Sequence, residues 1–256
     1  MTSPMTPPEL DRKSALFLDL DGTLLEIAAT PEQVVVPPGL PSLLAHLHHQ
    51  LEGAVAIVTG RPLSQVDALL TPFTSSAAGE HGVSLRYVDG TREELPAGLA
   101  VPEAWRAALV AAAGGWPGVL IEPKPHGCAV HYRLAPEYGN EVWRLVRELV
   151  PPEHPWFCLM PAREAVEIGL RAASKGHAVE RFMAHAPFHG RRPIFVGDDF
   201  TDEAGIAKAN ELGGVGLRVK EFFGGDPARV RAWLTEGVQR LDGRPPAAAT
   251  SSGVPL

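Results

Sequence analysis

The chain has 256 residues, 45% of them hydrophobic and 21% charged, with 30 acidic against 23 basic side chains and a formal net charge of −7. That length suits one large core or a core carrying a smaller insert, and the acidic balance excludes nucleic acid as a general partner, because a phosphate backbone demands a basic face. No apolar run reaches the ~18 residues of a bilayer span and no leader pattern precedes the first strand, so no membrane partner is expected and a cytoplasmic location is.

In chain order, residues 1–12 are Pro and Thr rich without periodicity and are expected to form a mobile tail. A buried strand follows over Leu16–Leu20 and exits through "DLDGTLL", where two aspartates flank one leucine ahead of Gly-Thr. Leu40, Leu43, Leu44, Leu47 and Leu51 then recur at helical spacing, with "HLHHQ" on the solvated side of the same helix. "AVAIVTG" predicts a second strand ending at Thr59, residues 63–70 a helix, and the stretch near Ala77 a third strand. From residue 95 the grammar changes to helix 103–113, strands 119–124 and 128–134, helix 137–150, and strands 156–160 and 164–169. Neighbouring strands with short connections pair antiparallel, so this segment reads as a separate α+β unit of two helix-strand-strand repeats. Cys128 and Cys158, both in its strands, are expected to be buried free thiols. The alternation then resumes with a helix from Lys175, the run "PIFVGDD", a helix from Asp202, the run "VGLRV" and an amphipathic helix over 226–241, ahead of a second expected tail, 243–256. The predicted fold class is therefore α/β, a parallel-sheet core of residues 13–94 and 170–242 with an inserted α+β unit, 95–169.

In open parallel sheets ligands bind beyond the carboxyl ends of the strands, and three predicted strands end there in polar groups: Asp19 and Asp21, Thr59, and Asp198 and Asp199. A carboxylate can attack phosphorus only when a hard divalent cation suppresses its repulsion from the phosphate, and magnesium does this with few protein carboxylates and some water. In that reading Asp19 is nucleophile and metal ligand, and Asp21 protonates the leaving oxygen and then activates water. Asp19, Asp21, Asp198 and Asp199 form the expected magnesium set, with Asp199 acting through water. Thr59 supplies a hydroxyl for phosphoryl oxygens, and Lys175, behind Ser174 at a helix start, offers an ammonium and a helix terminus to an anion. Singly these stretches read as a turn, a loop, a helix start and a capped helix; jointly, at strand ends, they are the parts phosphoryl transfer needs. No Walker-type loop and no Gly-x-Ser-x-Gly elbow occurs in the chain.

"DLDGTLL", Thr59, Lys175 and "GDDFTDE" resemble the four motifs of haloacid dehalogenase (HAD) superfamily phosphatases, which implies a Rossmann-like core, and the insert lies where that superfamily carries its larger type of cap. Within the superfamily the chain resembles trehalose-6-phosphate phosphatases through "TGRP", "GEHG" at 79–82, "EPKPHGCAVHYR" at 122–133 and "EAVEIG" at 164–169. The resemblance implies Mg2+-dependent hydrolysis of trehalose 6-phosphate through an aspartyl-phosphate, as the final step of trehalose biosynthesis, with functional coupling to a trehalose-phosphate synthase. It also implies that Glu122, Lys124 and Glu167 hold the sugar hydroxyls, and strand period puts Glu122 and Lys124 on one face. Gly60, Arg61 and His131 complete the expected substrate-binding set, Arg61 by orienting the Thr59 loop or a domain contact, and His81 is expected at the seam between the two units or in a structural role. One departure stands out: Gly169-Leu170 occupies the place of an Arg-Pro common in the family, with an arginine only at Arg171. The alternatives are a phosphatase for another sugar phosphate (sucrose-phosphate or glucosylglycerate type), a hexose-phosphate mutase, and a sugar-phosphate-binding regulator. Against the regulator speaks the presence of Asp19, Asp21, Thr59, Lys175 and Asp198 together.

Overall fold

The first apolar run becomes β1 (Ser14–Leu18), every residue of which is buried, because it has a parallel partner on each side. Leu16 lies opposite Val55 of β2 (Val55–Val58) and opposite Ile194 of β10 (Arg192–Gly197). A parallel strand covered on both faces has no solvated side, which is why it reads as an unbroken hydrophobic run rather than an alternating one. β3 (Ser76–Gly79) extends the sheet beyond β2, and β11 (Val215–Arg218) extends it beyond β10, both in parallel. The computed structural model describes residues 5–94 and 98–244.

Two strands escaped the sequence reading. β4 (Ser84–Arg86) and β5 (Arg92–Glu94) add antiparallel to β3, giving a seven-stranded sheet in the order β11-β10-β1-β2-β3-β4-β5. Each is three residues long and mostly polar in sequence, so neither period nor apolarity marks it. The helices of this unit are α1 (Leu40–Gln50), α2 (Leu63–Leu70), α5 (Lys175–Met183), α6 (Glu203–Glu211), α7 (Val219–Phe222) and α8 (Pro227–Leu241). They fill one core with the strands, in which Phe17 stacks on Phe182 and on Phe188, and those two meet at a tilt. Residues 5–12, read from sequence as a tail, are docked: Leu10 is buried, and Trp233 of α8 donates its Nε1–H to Pro8 O at 2.9 Å.

The second sheet is antiparallel, β6-β7-β9-β8, built from β6 (Leu120–Pro123), β7 (Cys128–His131), β8 (Phe157–Ala162) and β9 (Ala165–Leu170). Alternation divides its faces. Val130, Val166, Ile168 and Leu170 join Leu109 of α3 (Glu103–Ala113) and Val142 and Val146 of α4 (Gly139–Leu149) in a separate apolar core. The other face carries Glu122, Ala129 and Glu167 side by side, since Glu122 pairs with Ala129 and Ala129 with Glu167. Cys128 pairs with Ile168 and Cys158 with Gly169, one residue further along β9 and so on the opposite face, and both thiols are free. Burial pushes the Cys128 thiol up to about 11. Among the described residues, no helix is long and apolar enough to cross a membrane.

Candidate active site

β1, β2 and β10 lie side by side and parallel, so their carboxyl ends deliver Asp19, Thr59 and Asp198 to one edge of the sheet. The turn that follows Asp19 runs through Gly22 at φ +85°, a left-handed conformation that favours glycine. A Cβ there would stand 2.2 Å from Asp198 Oδ2, so glycine is also what lets the Asp198 carboxylate approach the turn. Lys175, the first residue of α5, sends its Nζ 2.7 Å to Asp19 Oδ1 and 2.6 Å to Asp202 Oδ1. Asp202 is fully buried, and its second oxygen accepts the backbone N–H groups of Asp198 and Asp199 at 3.0 and 3.1 Å.

Burial, and then the Asp202 carboxylate, hold the pKa of Asp19 well above the ordinary value despite the Lys175 ammonium. Burial and the Asp202 and Asp199 charges push Asp198 up to about 7, with Lys175 and Arg163 pulling the other way. Burial works against the charge on Lys175, yet Asp19 and Asp202 outweigh it and raise its pKa.

Oxygens of Asp19, Asp198 and Asp202 lie within 4.8 Å of one another. Both oxygens of Asp202 are committed to Lys175 and to the backbone, and Asp202 does not line the cavity, whereas Asp19 and Asp198 do. Two all-oxygen side chains facing one cavity fit a hard divalent cation of the magnesium type. Of the set expected from sequence, Asp19, Asp21, Asp198 and Asp199, all four line the cavity, and Asp19 and Asp198 fall in this close cluster. Asp21 is clamped by Arg61, Nε to Oδ2 at 2.6 Å and Nη2 to Oδ1 at 2.8 Å. Asp199 Oδ1 accepts from Thr201 N at 2.8 Å and Thr201 Oγ1 at 2.6 Å, capping the short turn over Phe200–Asp202. Asp202, assigned from sequence only to a helix start, closes the cluster; its place four residues after Asp198 was the available signal.

Thr59 is buried beside the cavity, and its Oγ1 accepts Arg61 N at 3.2 Å. Gly60 is confined by the His81 ring, which a Cβ would meet at 2.6 Å. Arg61, expected among the substrate-binding residues, also lines the cavity, but its donors go to Asp21, Gln65 Oε1 and Pro31 O. It therefore positions Asp21.

The polar face of the second sheet closes the same cavity from the other side. Lys124 Nζ donates to Glu167 Oε2 at 2.5 Å and, across the seam, to Gly60 O at 2.9 Å. Glu122 lies 2.9 Å from His131 Nε2 and accepts from Gln65 Nε2 at 3.3 Å. His81 Nε2 reaches Glu167 at 3.5 Å, which puts His81 at the seam. Burial alone would favour neutral Glu167, but the Lys124 ammonium and His81 hold it down at about 2. Asp19, Asp21, Thr59, Glu122, Lys124 and Glu167 thus share one cavity, which Gly60, Arg61, His131, Lys175, Asp198 and Asp199 also line. One seam contact was missed from sequence: Glu80, in a left-handed conformation at φ 47°, accepts His126 N at 2.9 Å and lies 2.6 Å from His126 Nδ1. At the Gly169 departure, a Cβ would stand 2.1 Å from Met160 Cε, so the methionine end fills that space. Arg171 does not substitute for the missing arginine, since its guanidinium donates to the carbonyls of Pro152, His154 and Phe157.

Residues 17–228 match the Trehalose-phosphatase family. The chain is 46% identical over 205 residues to the "Probable trehalose-phosphate phosphatase" of Sinorhizobium fredii, covering 80% of this chain and 77% of that protein. To the "Trehalose-6-phosphate phosphatase" of Escherichia coli it is 38% identical over 239 residues, covering 93% and 88%. The C-terminal domain of C. albicans trehalose-6-phosphate phosphatase superposes with a TM-score of 0.74 at 20% identity, over 95% of this chain and all of that one. At that identity the likeness speaks for the fold alone, a mostly parallel α/β core carrying a second, antiparallel sheet. The chain belongs to the trehalose-phosphatase family of phosphoric monoester hydrolases.

Proposed function

We propose that this protein hydrolyses trehalose 6-phosphate to trehalose and phosphate, with residues 95–169 acting as a cap inserted between the core segments 13–94 and 170–242. The observation that carries the reading is the single cavity into which the core acids and the cap residues Glu122, Lys124 and Glu167 both open. A phosphate held at the strand ends leaves its sugar facing three polar side chains, and a disaccharide has the hydroxyls to pair with them. The names of the relatives point to the same substrate.

Asp19 attacks phosphorus while the bond to the sugar O6 breaks, and Asp21 gives that oxygen its proton. The two-point hold of Arg61 is a hold on the ionised form of Asp21. To act as acid, Asp21 enters the first half carrying a proton on one oxygen and released there from Arg61, and the hold re-forms once that proton has gone to the sugar oxygen. In the second half Asp21 takes the proton of a water that attacks the aspartyl-phosphate, and Asp19 is released. Lys175 keeps Asp19 oriented and offsets the charge gathered around it. Asp19 and Asp198 would hold magnesium, which when bound neutralises carboxylate and phosphoryl oxygens. Lys124 on Gly60 O ties the cap to the Thr59 loop, so sugar recognition and exclusion of water occur together. In the cell this reading places the protein in the cytoplasm, at the last step of trehalose synthesis, supplied by a trehalose-phosphate synthase.

The test is phosphate release from a panel of sugar phosphates with magnesium and then with chelator. Trehalose 6-phosphate is expected to turn over fastest, and chelation to abolish it. A faster sucrose or glucosylglycerate phosphate would reassign the substrate, and isomer formation stimulated by a bisphosphate would make the protein a mutase.

A further inference from the structure

We propose that Arg163, at the tip of the β8–β9 hairpin, is the cap's own ligand for the substrate phosphoryl group, so that the cap contributes to phosphate binding as well as to sugar recognition. The proposal rests on the phosphatase reading above. Arg163 lines the cavity that holds Asp19, Lys175 and Asp198, and it also lines a neighbouring cavity that reaches Asp198 through Gly22. It stands at the Asp198 side of the site, beside the strand-end carboxylates at which the phosphatase reading puts the phosphoryl group.

The other cations of the cavity are already committed. Lys175 is held by Asp19 and Asp202, Lys124 by Glu167 and Gly60 O, and Arg61 by Asp21. Arg133 is bound to Glu164, Ala28 O and Arg163 O. Among the described residues, the Arg163 guanidinium makes no hydrogen bond or ion pair, although its backbone carbonyl is held at 2.7 Å. A planar fork of donors left free beside a phosphate site matches a phosphoryl group in geometry as well as in charge.

The hairpin is built to hold that position. Only Arg163 and Glu164 separate β8 from β9, and Glu164 is left-handed at φ 54°, a conformation that costs free energy for a residue with a Cβ. Arg133 offsets the cost. Its Nε donates to the Glu164 carboxylate at 3.2 Å, its Nη2 to Arg163 O, and its Nη1 to the core carbonyl of Ala28. One side chain therefore locks the turn and pins it to the core, with the Arg163 side chain free to meet the phosphate. Arginines brought to a transferring phosphoryl group by a second structural unit are a known device of phosphoryl-transfer catalysis.

The test compares Arg163→Ala and Arg163→Lys with wild type in three measurements: turnover of trehalose 6-phosphate, inhibition by inorganic phosphate, and inhibition by trehalose. Thermal unfolding serves as the control, and since Arg163 is exposed the Tm should be unchanged. Arg163→Ala is expected to lower kcat/KM roughly tenfold or more and to weaken phosphate inhibition by a similar factor, with trehalose inhibition unchanged and Arg163→Lys intermediate. Wild-type phosphate inhibition in Arg163→Ala would overturn the proposal. So would an equal loss of trehalose inhibition, which would reduce Arg163 to a general support of the hairpin. If wild type releases no phosphate from trehalose 6-phosphate, the substrate reading fails separately, and calorimetric titration of wild type and Arg163→Ala with inorganic phosphate and magnesium still decides the role of Arg163.

Discussion

Replacing Glu167 with glutamine removes one charge from the cap with almost no change of shape. Glu167 is buried and held at about 2 against an ordinary value of 4.5, burial raising it and the Lys124 ammonium more than reversing that. Each tenfold of proton affinity is ~1.4 kcal/mol, so the ionised carboxylate contributes on the order of 3 kcal/mol to the fold. Because the folded value is depressed, that contribution is complete above about pH 4.5 and is lost as pH falls toward 2. Glu167→Gln should therefore lower Tm by roughly 6–12 °C at pH 7, and the gap to wild type should narrow only below about pH 4.5. A double-mutant cycle with Lys124→Met isolates the pair, and a coupling of about 2–3 kcal/mol is expected. Additive single effects, or a gap that stays constant to pH 3, would refute the assignment of Glu167 as a charge held by Lys124.

Asp19→Asn should abolish phosphate release with the fold intact, since Lys175 keeps Asp202 as counterion; wild-type turnover would remove Asp19 as nucleophile. Asp21→Asn should slow turnover on the order of a hundredfold and leave a phosphoryl-enzyme that survives acid quench, checked by mass spectrometry. Gly22→Ala forces a side chain into a left-handed position 2.2 Å from Asp198 Oδ2, and kcat/KM should fall on the order of a hundredfold, with magnesium affinity falling alongside. Glu122→Ala should cost roughly tenfold on trehalose 6-phosphate and leave a small aryl phosphate nearly unaffected, whereas Lys124→Ala, which also cuts the tie to Gly60 O, should slow both substrates and trehalose 6-phosphate the more. Equal losses on both substrates in Glu122→Ala would mean that Glu122 supports closure rather than the sugar.

Much of the frame is legible from composition and period because it is local. β1 is apolar because both its faces are covered, the leucines of α1 repeat at helical spacing because one face is buried, and Gly22 follows Asp21 because the exit turn is left-handed. Glu122 and Lys124 share a face by strand period alone. What escaped depends on contacts between residues far apart in the chain. The hold of Arg61 on Asp21 spans 40 residues, and that of Glu80 on His126 spans 46. Nothing in the Arg61 or His126 neighbourhood in sequence encodes such a partner. The same reason explains the metal cluster. The sequence displays Asp19, Asp21, Asp198 and Asp199 near two strand ends, and only the placement of Arg61, Thr201 and Lys175 decides that Asp21 is clamped, that one oxygen of Asp199 caps a turn, and that buried Asp202 joins Asp19 and Asp198 in the close cluster. Residue type and spacing pointed to phosphoryl-transfer chemistry on a parallel sheet with an inserted α+β unit. Tertiary structure decided which oxygens and cations remain free to use it, because a side chain becomes available only when the packed fold leaves its hydrogen bonds unmade.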